Sequence, residues 1–371
     1  GGGGGEEDVA CPSDAEDGAL IIYTSGTTGR PKGALHTHAS LAAQVRSLCA
    51  AWGWAKEDRI LHPLPLHHIH GIVNALLCAH FTGCPVEFMP KFSPGAIWDR
   101  LTSAEQEPIT VFMGVPTMYV RLLQVHEKMD AERQRSAAAA AAKLRLTISG
   151  SAACPVPVMN AWEGVSGQRL LERYGMTEIG MALSNPLEGE RRPGYVGTPM
   201  PGVEIKVMGP PTAEHEEGPG ELLVKGPNLF KEYFGKPEAT AESFDNGYFK
   251  TGDVVVKEGG SWRIMGRSSV DIIKSGGYKL SALDIEGHLM EHPDIAECAV
   301  VGIPDEAYGE VVGAVLAAPD GRACPDAKSL NAWAKDILAP YKIPKRLHVV
   351  DAIPRNAMGK VNKKELVKVF L

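Results

Sequence analysis

The run Thr24-Ser25-Gly26-Thr27-Thr28-Gly29-Arg30-Pro31-Lys32-Gly33 constrains this chain more than any other ten residues. It follows a short apolar, β-rich stretch at residues 19–23, so a strand is expected to break straight into a flexible loop. Four small hydroxyl residues, three glycines and one lysine can wrap backbone N–H groups, hydroxyls and a cation around a polyphosphate. The run is not a Walker A loop. Counting G-x-x-x-x-G-K-[ST] from Gly26 puts Pro31 at the second glycine and Gly33 at the hydroxyl position. A plain Gly-rich surface turn would leave the hydroxyls beside Lys32 unexplained.

Beyond the loop, apolar strands at residues 111–115 and 144–149 alternate with helical patterns at 40–52 and 117–129, an α/β rhythm that runs to about residue 202. The alanine run at 136–142 has high helix propensity and no polar punctuation, so an exposed helix extension is expected there. After Pro201, short alternating strands with Gly and Pro turns predict an antiparallel β subdomain, through 221–224 and 254–264. Segments at 285–290, 296–301, 312–317 and 330–338 then predict a small α+β domain. The expected fold class is α/β. A large N-terminal α/β domain with its β subdomain spans residues 1–267, a hinge 268–271, and a small mobile α+β domain 272–371. With 371 residues, 44% of them hydrophobic, the chain can bury cores of that size.

Four further motifs follow the loop in order: Tyr174-Gly175-Met176-Thr177-Glu178, Thr251-Gly252-Asp253, Gly266-Arg267 and Pro354-Arg355-Asn356-Ala357-Met358-Gly359-Lys360. Together the five resemble the motifs of the adenylate-forming superfamily, which holds acyl- and aryl-CoA synthetases, firefly luciferases and nonribosomal peptide adenylation domains. The likeness implies ATP, Mg²⁺ and coenzyme A as ligands, with an acyl-adenylate formed first and captured by a thiol second. Attack on the α-phosphate builds negative charge on that centre and on the departing pyrophosphate, so positive groups must converge there.

By the same resemblance Thr24, Ser25, Gly26, Thr27, Thr28, Gly29 and Lys32 would hold the phosphates, with Ser151 beside them. Tyr174 would stack on adenine, Asp253 accept from both ribose hydroxyls, and Arg267 assist on that sugar. Thr177 would contact the α-phosphate and Glu178 hold Mg²⁺, a hard cation that prefers oxygen ligands. Lys360 would reach into the cleft during adenylation. Taken singly, Glu178 or Asp253 reads as a solvated loop carboxylate; the motif context gives each its role.

Two half-reactions with a rotating small domain require a hinge. The segment Arg267-Ser268-Ser269-Val270-Asp271 precedes Lys274-Ser275-Gly276-Gly277-Tyr278. Gly276 and Gly277 would let the pantetheine arm of coenzyme A pass close to backbone. The usual spacing puts the hinge acid three residues after the arginine, whereas Asp271 stands four after Arg267. Ser269, Val270 and Asp271 therefore all remain open as the pivot.

His62, His67, His68 and His70 cluster in sequence, but no Cys, Asp or Glu completes a zinc set beside them and no H-E-x-x-H spacing appears. The resemblance instead makes this segment the closure of the acyl pocket, with His68 as a catalytic gate. Leu171-Glu172-Arg173-Tyr174 places an arginine directly before the adenine-stacking tyrosine. A fatty-acid tunnel would not keep a guanidinium there, whereas its planar fork suits a second carboxylate. With Ser149-Gly150-Ser151-Ala152-Ala153, these features resemble the malonyl-CoA synthetases, the vertebrate mitochondrial ones in particular. That implies malonate as the acid and the mitochondrial matrix as the location. His68, Ile69, Arg121, Ser151, Arg173 and Met181 would line the substrate, Ile69 and Met181 limiting room at the malonate C2. Three alternatives stand beside this reading. Arg173 pairs with a structural acid, Glu172 or Glu178; the ligase serves another acid such as methylmalonate or acetate; or the chain binds nucleotide without turning it over.

A formal net charge of −7 argues against a nucleic-acid surface. No stretch reaches the ~18 apolar residues of a membrane span, and residues 1–18 have neither a signal's apolar core nor a transit peptide's Arg-rich character. Seven scattered cysteines without a CxxC pair suggest reduced thiols. Small-molecule substrates and a monomer are expected. Family members carry a long segment ahead of the phosphate loop, so the front of the large domain is expected to be missing and apolar faces to be left bare.

Overall fold

The computed structural model describes residues 14–24, 31–209, 217–319, 321–355 and 361–371, and among these the strands form four sheets. Strands β1 (Gly18–Thr24) and β2 (Lys32–Thr37) pair antiparallel with Thr24 opposite Lys32, and β12 (Glu232–Tyr233) adds to the far side of β2. Helix α1 (His38–Trp52) starts at once, because Thr37 and Ser40 cap each other's backbone N–H groups at 3.1 Å, the reciprocal capping box.

The second sheet runs in the order β4 (Val86–Phe88), β3 (Ile60–His62), β5 (Val111–Gly114), β6 (Leu146–Ser149), β7 (Leu171–Met176), β8 (Gly180–Ser184) and β9 (Thr198–Pro199). From β4 to β7 the pairs are parallel; β8 and β9 are antiparallel. Parallel neighbours need crossovers. These are a π-helix (His70–Leu77) with α2 (Cys78–Thr82), then α3 (Pro94–Thr102), α4 (Pro116–Glu127) with α5 (Ala131–Ala141), and α6 (Val156–Ser166). Successive strand residues face opposite sides. Ile60, Val111, Met113, Ile148 and Leu171 pack with α1 and the π-helix. Leu61, Phe112 and Leu170 pack with Trp98, Tyr119 and Trp162 on the other side, and burying each such side chain contributes about 1.5–3 kcal/mol.

The alanine run corrects the sequence expectation. Ala137, Ala140 and Ala141 of α5 are buried, and Ala137 and Ala141 belong to the core around Trp98 and Trp162. Small side chains let α5 come close to α3 and α6; the run is a packing face rather than an exposed extension. Ile21 and Tyr23 of β1, Phe81 and Phe88 are exposed.

The third sheet joins β10 (Glu204–Met208), β11 (Glu217–Lys225), β14 (Tyr248–Glu258) and β13 (Phe244–Asp245) antiparallel, with β15 (Ser261–Arg267) also on β14 and α7 (Pro237–Glu242) alongside β12 and β13. The fourth runs β17 (Tyr278–Ser281), β16 (Ile272–Ser275), β19 (Gly309–Ala317) and β18 (Glu297–Asp305), with β20 (Arg346–Val349) parallel to β19. Helices α8 (Ala282–Leu289), α9 (Ala327–Ala334) and α10 (Lys363–Leu366) cover it around cores that include Ile285, Leu330 and Leu366. The expected segment 254–264 spans the end of β14, a turn and most of β15, and the segments expected at 285–290, 296–301, 312–317 and 330–338 overlap α8, β18, β19 and α9.

Candidate active site

The parallel strands of the second sheet all end at one edge, the place where α/β sheets bind ligands. His62 ends β3, Ser149 ends β6, and Arg173, Tyr174, Thr177 and Glu178 lie along β7 and the turn into β8. That turn is held from outside. His36 Nε2 donates to the Thr177 carbonyl at 2.8 Å, so Nδ1 is left to accept from Ser40 Oγ or Gln44 Nε2. Burial lowers the His36 pKa, which keeps the ring neutral in this role.

Glu178 is 5% exposed, and its Oε1 accepts from the Tyr233 hydroxyl at 2.9 Å. Burial raises its pKa, against the pull of Tyr233, Arg267 and Lys32. The Lys32 Nζ sits 4.5 Å above the Tyr233 ring, so the lysine of the phosphate loop is steered toward the same carboxylate. One buried carboxylate without an ion-pair partner among the described residues suits a hard divalent cation whose other ligands come from phosphate and water.

A second group forms where β14 meets β15. Asp253 stands opposite Arg267 in the ladder, and Arg267 Nε donates to Asp253 Oδ1 at 3.0 Å. Tyr174 donates its hydroxyl to Oδ2 at 2.6 Å. Thr251 fixes the turn by donating to the Leu222 carbonyl at 2.7 Å and accepting from Asp253 N at 3.1 Å.

The third group surrounds Arg173. The residue is 4% exposed, and its Nε and Nη2 have no hydrogen-bond partner among the described residues. Burial lowers its pKa to about 10, with Glu172 opposing, so it remains a cation at neutral pH. Glu172, one residue earlier and therefore on the opposite face of β7, accepts from Cys154 N at 2.8 Å. Neither Glu172 nor Glu178 forms an ion pair with Arg173 among the described residues. His70 is buried near it, its Nδ1 3.3 Å from Ser151 Oγ and its Nε2 without a partner among the described residues. Burial first, then Arg173, His62 and His68, push the His70 pKa well below its ordinary value. Ser151 holds a positive φ of 69°, uncommon for a residue with a side chain.

Ile69 and Met181 are buried in the core that includes Leu171 and Ile148. His68 is half-buried, its ring 4.2 Å from that of His67. His62 is a packing residue, donating through Nε2 to the Gly71 carbonyl at 2.9 Å and accepting from Leu64 N at 3.2 Å. Arg121 is exposed on α4 and is not joined to the Arg173 group. Gly276 and Gly277, with φ 55° and 86°, form the two-residue turn between β16 and β17, which needs both residues left-handed. Thr24 closes β1. Ser25, Gly26, Thr27, Thr28, Gly29 and Lys360 lie outside the described residues.

Two residues of this site escaped the sequence reading, His36 and Tyr233. Both act on motif residues from segments with no motif of their own; the polar His36 inside an apolar strand was the available signal.

Comparison with known proteins gives the same picture. The family model described as AMP-binding enzyme matches residues 4–234, and that of the AMP-binding enzyme C-terminal domain matches 284–360. A malonate–CoA ligase of Arabidopsis thaliana is 53% identical over 371 residues, covering 95% of this chain and 61% of that protein. A mitochondrial malonate–CoA ligase of Mus musculus is 50% identical over 375 residues, covering 95% and 64%. The chain thus spans less than two thirds of these relatives. The crystal structure of ATP-bound MatB from Rhodopseudomonas palustris superposes with a TM-score of 0.84 at 38% identity, over 96% of this chain and 69% of that one. On the family match over most of its length and the shared fold, the chain belongs to the AMP-binding enzyme family.

Proposed function

We propose that this chain is the catalytic portion of an AMP-forming malonate–CoA ligase, converting malonate, ATP and coenzyme A to malonyl-CoA, AMP and pyrophosphate. The observation that carries the choice of acid is the buried guanidinium of Arg173, whose Nε and Nη2 have no partner among the described residues. Leaving such a group without a partner is costly, and a second carboxylate of the substrate would supply two acceptors to its fork. Names of the similar ligases support the same acid.

In this reading the Asp253–Arg267 pair receives the ribose hydroxyls and Tyr174 flanks the adenine. Thr24, Ser25, Gly26, Thr27, Thr28, Gly29 and Lys32 hold the phosphates, Thr177 and Ser151 the α-phosphate end. Glu178 would hold Mg²⁺, which neutralises phosphate charge when bound. Lys360 supplies the cation that stabilises the α-phosphate during attack by the malonate carboxylate. His68 closes the acyl pocket, with Ile69 and Met181 around the substrate; Arg121, exposed on α4, has no part in this arrangement. After pyrophosphate leaves, residues 272–371 turn about the 268–271 segment, and the Gly276–Gly277 turn admits the thiol arm. The enzyme would be mitochondrial, in keeping with its animal relative.

The test is pyrophosphate release with malonate, methylmalonate, acetate and a fatty acid, run on this chain and on a form extended to the length of its relatives. Malonate-dependent release from the extended form is expected. Equal release with acetate or a fatty acid would overturn the choice of acid. Thermal protection by ATP without any release would reduce the chain to a nucleotide-binding module.

A further inference from the structure

The hinge segment is anchored on both sides with Ser269 and Val270 between the anchors, and Val270 N and Asp271 N also turn back to the Arg267 carbonyl at 3.2 and 2.8 Å. Behind the hinge, Ser268 N donates to the Gly252 carbonyl of β14 at 2.9 Å, and Arg267 is held to Asp253. Ahead of it, Ala282 N at the start of α8 donates to the Asp271 carbonyl at 2.7 Å. The Asp271 side chain is buried, and its Oδ1 meets Lys363 Nζ at 2.5 Å. Lys363 Nζ also meets Glu286 Oε1 of α8 at 2.7 Å, and Glu286 Oε1 accepts from Val300 N of β18 at 2.7 Å. The three side chains are only 11–17% exposed, so solvent screens their attraction little. The second oxygen of Asp271 accepts from Arg267 N at 2.9 Å, across the hinge.

Lys363 opens α10, three residues after Lys360. One ammonium therefore binds the start of α10 to the hinge acid, to α8 and, through Glu286, to β18. We propose that Lys363 is a positioning residue: it fixes Asp271 as the far anchor of the hinge, confines rotation to Ser269 and Val270, and makes the Lys360 segment turn as one body with α8. The proposal rests on the adenylation reading of the site only for its kinetic consequence. Rotation breaks the bond from Arg267 N to Asp271 and those from Val270 N and Asp271 N to the Arg267 carbonyl, while the Lys363 bonds travel with the small domain. A methionine at 363 keeps the apolar stem and removes the charge, so Asp271 and Glu286 would face each other unneutralised and the Lys360 segment would lose its reference to the hinge.

The experiment uses the extended enzyme and compares wild type, Lys363→Met, Lys363→Arg and Ser269→Pro. Adenylation is read by malonate-dependent ATP–pyrophosphate exchange, and thiol capture by transfer from supplied malonyl-adenylate to coenzyme A. Hydrogen exchange of residues 266–272 is read against that of β18 and β19. In Lys363→Met the exchange kcat should fall about a hundred-fold, the scale of misplacing a catalytic group, with KM for ATP and the transfer rate little changed. Amides of Arg267 and Asp271 should lose protection while β18 and β19 keep theirs, and Lys363→Arg should restore most of both signals. Ser269→Pro, which stiffens the pivot, should slow transfer and spare adenylation. Equal loss of both half-reactions in Lys363→Met, loss of protection throughout β18 and β19, or unimpaired transfer in Ser269→Pro would overturn the proposal. If the wild type shows no malonate-dependent exchange, the choice of acid fails, and hydrogen exchange at residues 266–272 still decides the anchor.

Discussion

Tyr174 and Asp253 stand 79 residues apart and meet at 2.6 Å, the phenol donating to one carboxylate oxygen while Arg267 takes the other. Three motifs that are separate in sequence thereby become one surface, and the tyrosine ring is fixed at the edge of the proposed ribose site. The same bond, with burial ahead of it, pushes the Tyr174 pKa well above its ordinary value, so the hydroxyl stays a donor.

Asp253→Asn keeps the shape of this surface but removes the charge that orders Arg267 and one of the two acceptors. Hydrogen bonds to charged groups contribute about 1.5–3 kcal/mol, so KM for ATP should rise by roughly one to two decades. At saturating ATP, kcat should change little. An ATP titration with unchanged KM would remove Asp253 from the nucleotide site.

Tyr233 and Glu178 give a pH prediction. Burial raises the Glu178 carboxyl and the Tyr233 hydrogen bond opposes that rise. In Tyr233→Phe the opposition is gone, so the carboxyl holds its proton to a higher pH and competes with Mg²⁺ there. The acid limb of the activity profile should move to higher pH, with more magnesium required on that limb. Glu178→Gln should raise the magnesium requirement at every pH. Magnesium kinetics unmoved by both changes would mean that the cation is held elsewhere.

Glu172 offers a test of stability that is independent of catalysis. Burial pushes its carboxyl up to about 7, against the Cys154 N–H bond and Arg173. The unfolded value is near ~4.3. Between those values the native state binds a proton that the unfolded chain has released, so stability falls as pH rises through the window. Below it the contribution is fully present. The cost above pH 7 is on the order of 3 kcal/mol. Glu172→Gln should therefore melt higher than wild type at pH 8 and show no such gain at pH 4.5. An equal shift at both pH values would assign the effect to packing.

The α/β rhythm was legible because parallel strands buried on both faces read as short apolar runs, and Val111–Gly114 and Leu146–Ser149 fall within a residue or two of expectation. The alanine run misled because composition reports helix propensity and not what covers the helix. Strand period alone could have separated Glu172 from Arg173, since neighbours along β7 face opposite sides. His36 showed only as a polar residue inside an apolar strand, and Tyr233 not at all: each acts through one hydrogen bond on a motif residue 141 or 55 positions away, and a single sequence carries no trace of such a pairing.

The proposed role of Arg173 in selecting the acid can be challenged in two ways. In Arg173→Ala the distal carboxylate of malonate would enter the pocket unpaired, at a cost of about 3–5 kcal/mol, or roughly two to four decades in kcat/KM for malonate. Acetate has no second carboxylate and should lose almost nothing. Gly150→Ala keeps the charge but moves it, because a Cβ there would lie 2.4 Å from Arg173 Cζ and 2.6 Å from Nε. The guanidinium must swing away from the residue 150 backbone, so malonate activity should fall by part of the alanine effect while acetate is again spared. Steady-state kinetics of both variants against both acids, in the extended enzyme, check this. Parallel losses for malonate and acetate in Arg173→Ala would make the arginine a structural residue, and malonate selectivity untouched in Gly150→Ala would show that the position of the fork, as distinct from its charge, carries no discrimination.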